Sequence, residues 1–137
     1  MTFSHRLRVR YSECDPQGVV FNGNYFAYFD VAMIEFHREV IGNYSELVEA
    51  GVEMVVAEAR CRYHAPARFD EEIDINVVPA RVGTTSLTVA LEVTRGQTRL
   101  AEGELRYVFV EKKTGRKLPI PQDVRVTLER ASSLSKV

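Results

Sequence analysis

Residues 12–30 read SECDPQGVVFNGNYFAYFD, and two turn signals in so short a span decide how the chain is laid out. Asp15-Pro16-Gln17-Gly18 is one, Asn22-Gly23-Asn24 is the other, and only Val19, Val20 and Phe21 separate them. Upstream, Phe3, His5, Leu7, Val9 and Tyr11 alternate with Ser4, Arg6, Arg8 and Arg10, the period of a half-buried strand. Downstream, Phe26, Phe29, Met33, Phe36 and Val40 recur at steps of three and four, which predicts a helix ending near Gly42 with Asn22 or Asn24 as its cap. Ile34 and Ile41 lie off that stripe, so the helix reads as wrapped by other structure rather than resting on one face.

Beyond it the period changes. Residues 45–51 (SELVEAG) read as a short connecting helix with Ser45 as cap and Gly51 as stop. Residues 52–64, 71–82, 85–94 and 100–112 then read as four strands at hairpin spacing, with Pro79 marking a bulge or an edge and Gly96-Gln97 a turn. Leu105, Tyr107 and Phe109 share one face of the last strand, a turn follows at 112–117, and from about residue 121 the chain is a polar tail, helical or poorly ordered. The layout predicts one α+β domain over residues 1–137, a five-stranded antiparallel sheet wrapped around one long central helix. One helix covers one sheet face. Val108 and Val110 point to the other, so a second copy is the expected cover and the chain is expected to be a homo-oligomer, dimer or tetramer.

The 137 residues are 27% charged and 45% hydrophobic with a formal net charge of -1. Such a balance gives no global field to draw the protein onto nucleic acid or an anionic membrane, and neither is expected as a partner. Cys14 and Cys61 have no Cys or His at ligand spacing, which implies no metal, no disulfide framework and a reducing, cytoplasmic setting. Residues 1–11 are interrupted by charge and lack the apolar run of a signal peptide or membrane span. His5, His37 and His64 have no partner at metal or triad spacing, and His64 alone is kept as a pocket candidate.

The chemistry lies in the paired turns. They carry Asp15 from the end of the first strand to the start of the long helix, whose first N–H groups are unpaired and sit at the positive end of the helix dipole. A carboxylate facing such donors can attack, or activate water towards, a carbonyl held between them, and Gly18 and Gly23 leave room for close approach. Asp-Pro-x-Gly is also a common turn in which the aspartate merely fixes the loop, so spacing leaves both readings open. Cys14 is no rival nucleophile, because Glu13 and Asp15 on either side disfavour its thiolate.

The run YSECDPQGVVFNGNYFAYFDVAMIEF resembles the signature of hotdog-fold thioesterases of the 4-hydroxybenzoyl-CoA thioesterase type, with Asp15, Gly18, Val20, Asn24 and Tyr25 in register. The likeness continues into EARCRYHAPARFDEEI, at Tyr63, Pro66-Ala67-Arg68 and Asp70, and covers the chain to about Val110. The resemblance implies a hydrolase of acyl-CoA or acyl-carrier-protein thioesters without a cofactor. Asp15 would be nucleophile or general base, and the Asn22 N–H, with Gly23 beside it, would polarise the carbonyl. Gln17, Gly18, Tyr25, His64, Arg68 and Arg81 are the expected substrate contacts. The other readings are a non-catalytic acyl-CoA-binding module and, last, a hydratase, which would need a histidine beside Asp15. Glu35, inside the helix, is read as structural.

Overall fold

The computed structural model of the chain describes residues 3–42 and 44–135. Strand β1 (Phe3–Arg8) leads through the paired turns into helix α1 (Asn24–Phe36), a short helix α2 (Tyr44–Glu49) follows, and then come β2 (Val52–Tyr63), β3 (Glu72–Val82), β4 (Ser86–Arg95), β5 (Thr98–Glu111) and helix α3 (Gln122–Ser135). The strands form one antiparallel sheet in the order β1-β3-β4-β5-β2. The first two strands therefore occupy opposite edges, and α1 crosses the sheet between them.

Alternation in the strands builds the inner face. Ile73, Ile75 and Val77 of β3, Leu87, Val89, Leu91 and Val93 of β4, and Leu105, Tyr107 and Phe109 of β5 are buried with Phe29, Ala32, Met33 and Phe36 of α1. The bulge expected at Pro79 is present, between Pro79 and Arg81. A second bulge between Val56 and Glu58 has no Pro or Gly to announce it.

Several local expectations change. β1 stops at Arg8, and Tyr11 is 80% exposed instead of lying on the apolar face. The cause is that Val9 bonds to the Asp70–Glu71 turn while Arg10 and Glu13 close a 3-10 turn over Tyr11–Glu13. Neither Asn22 nor Asn24 caps α1; the capping position is Gly23, with no side-chain bond. α1 runs on into a π-helical turn, His37–Ile41, closed by the Gly42 N–H on the His37 carbonyl with Gly42 at φ 104. Ile34 and Val31 are exposed, so one chain alone leaves a side of α1 open. α2 already begins at Tyr44, so Ser45 lies inside it and is not its cap, whereas Gly51 ends its turn at φ 80 as expected.

The tail is a packed helix. Val124 and Leu128 of α3 are buried in the same core, against β3 and the π-helical turn, and the Arg125 guanidinium donates to the Gly83 and Thr84 carbonyls. The inner face thus has two covering helices, not one. The outer face carries Val108 and Val110 half-buried, but it is laced with ion pairs: Arg6–Asp74, Arg60–Glu104, Arg62–Glu102 and Arg99–Glu92. Among the described residues no helix is long and apolar enough to cross a membrane.

Candidate active site

The first turn signal is the tip of a small hairpin. Phe21 N–H donates to the Glu13 carbonyl at 2.9 Å, Cys14 and Val20 bridge, and the Asp15 N–H donates to Val19 at 2.9 Å. Pro16, Gln17 and Gly18 make the loop, closed by the Gly18 N–H on Asp15, and the φ of 78 at Gly18 is the left-handed conformation such a loop requires. The tip is seated on the turn before β3: Val20 donates to Ala67 at 2.8 Å, Val19 bridges Arg68, and Phe69 donates to Gly18. Asp15 is half-buried, and one carboxylate oxygen accepts the Gln17 N–H at 2.8 Å. The other has no hydrogen bond among the described residues.

The second turn signal starts α1. The Phe21 carbonyl accepts Asn24 N–H at 2.9 Å, the Asn22 carbonyl accepts Tyr25 N–H at 3.3 Å, and Gly23 accepts Phe26 at 3.2 Å. In a trans peptide the C=O and the following N–H point opposite ways. With the Phe21 and Asn22 carbonyls turned into the helix, the Asn22 and Gly23 N–H groups point out of its start, and among the described residues neither has an acceptor. A rise of about 3.4 Å per residue puts the Asp15 rung about 7 Å from the Glu13–Phe21 rung beside those donors.

Glu13 ties hairpin to helix. Its carboxylate, 12% exposed, accepts the Tyr28 hydroxyl at 2.9 Å and the Arg10 N–H and guanidinium at 2.8 Å each, while its carbonyl accepts the Asn24 side chain at 2.8 Å. Burial alone would raise the Glu13 pKa; the bonds from Arg10 and Tyr28 outweigh it and hold the carboxyl below its ordinary value. Tyr28 is pushed far up by burial and by Glu13, so it stays a donor. The Cys14 thiol is raised by burial first and by Glu13 and Asp15 second, which keeps it a thiol.

The other candidate residues divide. Gln17 and Gly18 are in the hairpin tip, and Arg68 is beside it, exposed and in no ion pair among the described residues. Tyr25 is buried beneath the helix start, its oxygen accepting Ala67 N–H at 3.3 Å and its ring edge-on to Tyr28 and Tyr63, so it supports the site from below. His64 is on the outer face, 3.5 Å from Glu102. Arg81 lies at the opposite end of the sheet, after the β3 bulge, and one chain does not bring it to the hairpin. Glu35 pairs with Arg38 on α1. Sequence reasoning took Glu13 only as a charge beside Cys14 and Tyr28 as core and acyl-pocket lining, and gave no role to the Tyr63 hydroxyl, which donates to the Asn22 carbonyl at 2.9 Å. An open groove of about 880 Å³ on the outer face, lined in part by Arg60, Arg62, Glu102 and Glu104, contains no residue of the hairpin. Its arginines are engaged by those glutamates, so it is a poor receptor for phosphate.

The family model of the Thioesterase superfamily matches residues 17–102, beginning two residues after Asp15. The chain belongs to the thioesterase superfamily. An Aquifex aeolicus (strain VF5) protein is 30% identical over 129 residues, 94% of this chain and 99% of that one. The Escherichia coli O157:H7 protein named acyl-CoA thioester hydrolase YbgC is 28% identical over 123 residues, 89% of this chain and 92% of its own. The structure of BH1999 gentisyl-coenzyme A thioesterase superposes with a TM-score of 0.83 at 25% identity, covering 92% of this chain and 99% of that one. The sheet and helix described above are accordingly a hotdog thioesterase fold, and the protein is a thioesterase.

Proposed function

We propose that the protein hydrolyses acyl-CoA or acyl-carrier-protein thioesters at the start of α1, with the Asn22 and Gly23 N–H groups receiving the thioester oxygen and Asp15 acting on its carbonyl carbon. The observation that carries the reading is the pair of outward, unengaged amides at the start of α1, directly after the hairpin that carries a carboxylate oxygen that is also unengaged. Amides at a helix start stabilise the negative charge that grows on oxygen as the carbonyl becomes tetrahedral. Asp15 then serves as nucleophile or as the base that removes a proton from water; in either case the thiolate departs without needing a strong acid. Arg68, exposed beside the tip, is the cation available to a phosphate of the substrate arm.

The relatives named for acyl-CoA and gentisyl-coenzyme A hydrolysis support the substrate class. Asp15→Asn keeps an oxygen for the Gln17 N–H and so preserves the loop. Across a panel of aliphatic and aromatic acyl-CoAs and acyl-carrier proteins, kcat of this variant is expected to fall by about 10²–10⁴. Wild-type turnover in Asp15→Asn would remove Asp15 from the reaction.

The site is completed by a second copy. Phe21 and Tyr63 stand 53% and 47% exposed at the edge of the molecule, so one chain walls an acyl group on one side only. Of the two sheet edges, β1 is short and carries Arg6 and Arg8, whereas β2 offers twelve residues of free backbone with Val55 and Val56 both 46% exposed. A strand paired antiparallel with its own copy satisfies two-fold symmetry, so β2 is the proposed contact rather than the ion-paired outer face.

A further inference from the structure

Resting on that reading, the geometry points to Tyr63 as a positioning residue for the reaction: its hydroxyl holds the Asn22–Gly23 peptide in the orientation that aims the Gly23 N–H at the substrate oxygen.

Two peptides supply the donors, and they are not equally held. The one before Asn22 has its carbonyl anchored by Asn24 N–H at 2.9 Å. The one before Gly23 has, inside the helix, only the Tyr25 N–H at 3.3 Å. That bond is at the long end of useful geometry. Gly23 itself imposes little on the backbone, since without a Cβ its own φ, one of the two torsions about this peptide, is loosely restrained. A rotation of this peptide would bring the Asn22 carbonyl to where the N–H must be, placing a partial negative charge against an oxygen that is gaining negative charge.

Tyr63 opposes that rotation from outside the helix. Its hydroxyl reaches the Asn22 carbonyl at 2.9 Å from the last residue of β2, 41 positions away. The ring that carries it is braced: it stands edge-on to Tyr25 at 5.2 Å between centroids, and Tyr25 is fixed in turn by Ala67 N–H and by Tyr28. The sheet, not the loop, therefore sets the direction of this donor. A hydrogen bond to the carbonyl also polarises the peptide, so the Gly23 N–H becomes a stronger donor. Burial raises the Tyr63 pKa above the ordinary tyrosine value, so the hydroxyl keeps its proton at neutral pH.

The test is Tyr63→Phe, which leaves the ring and its contact with Tyr25 in place. On a thioester hydrolysed by the unaltered protein, kcat is expected to fall about 10–100-fold with KM unchanged and Tm unchanged, a smaller loss than removal of a whole donor. In ¹⁵N-resolved spectra the Gly23 amide proton should move while amides in β4 do not. A kcat equal to that of the unaltered protein, a rise in KM alone, or an unmoved Gly23 resonance would each overturn the assignment. Absence of turnover by the unaltered protein on every thioester would instead sink the proposed site and the catalytic part of this inference with it, while the Gly23 resonance still reports whether Tyr63 orients the peptide.

Discussion

His37 is 8% exposed where α1 gives way to its π-helical turn, and burial holds its imidazole pKa down at about 4 against an ordinary 6.5. Between those values the unfolded chain binds a proton that the folded one does not, so stability falls as pH is lowered from about 6.5 and the loss is nearly complete at about 4. The difference corresponds to about 3 kcal/mol. In urea unfolding at pH 7.5 and pH 4, the wild type should therefore lose about 3 kcal/mol more than His37→Leu; equal losses would show that another group controls the acid limb. Which single residues were readable from sequence follows from how far apart their partners are. Asp15 and Asn22 stand in turns only three residues apart, and their turn sequences named them as candidates. Tyr63 meets Asn22 across 41 positions and two elements, so nothing local announced its hydroxyl. Glu13 was visible only as a charge beside Cys14, because its meeting with Tyr28 needs the helix to be placed first.

Gly103 shows how the elements are locked. A Cβ there would stand 2.5 Å from the Phe29 ring and 2.6 Å from the Arg60 carbonyl, so β5 lets α1 and β2 close in only because this position has none. Gly103→Ala forces both neighbours aside and is expected to cost about 2–3 kcal/mol, read as a lower urea midpoint with an unchanged slope. A loss under 0.5 kcal/mol would mean that the neighbours simply shift. β3 and β4 were legible because their apolar residues alternate, and Pro79 announced its bulge. The π-helical turn at His37–Ile41 and the bulge after Val56 were not, since neither is marked by a residue type with special backbone preferences; the turn packs against α3, and the bulge is a shift in the β2–β5 register. The ion pairs of the outer face, Arg60–Glu104 and Arg62–Glu102, were not legible beside Val108 and Val110, because they join strands that are far apart in sequence.

At the scale of the molecule the exposed β2 edge is the surface on which the proposed pairing of two copies rests. Replacing Val55 and Val56 together by Lys places two charges on that edge, and sedimentation of the variant should show monomers at concentrations where the wild type is associated, with the far-UV spectrum retained and hydrolysis reduced. An unchanged sedimentation coefficient would direct attention to another face. Topology was readable only as far as strand count and hairpin spacing; that β1 joins β3 and not β2 is a long-range choice no local pattern encodes. The same order bears on how the protein is made. Phe29 finds its seat at Gly103, more than seventy residues downstream. At about 5–20 residues per second a ribosome delivers α1 roughly 4–15 s ahead of the strand that shelters it. During synthesis, then, the aromatic segment beside the candidate loop must wait unsheltered for its seat, and a chaperone that shields apolar surface would protect it.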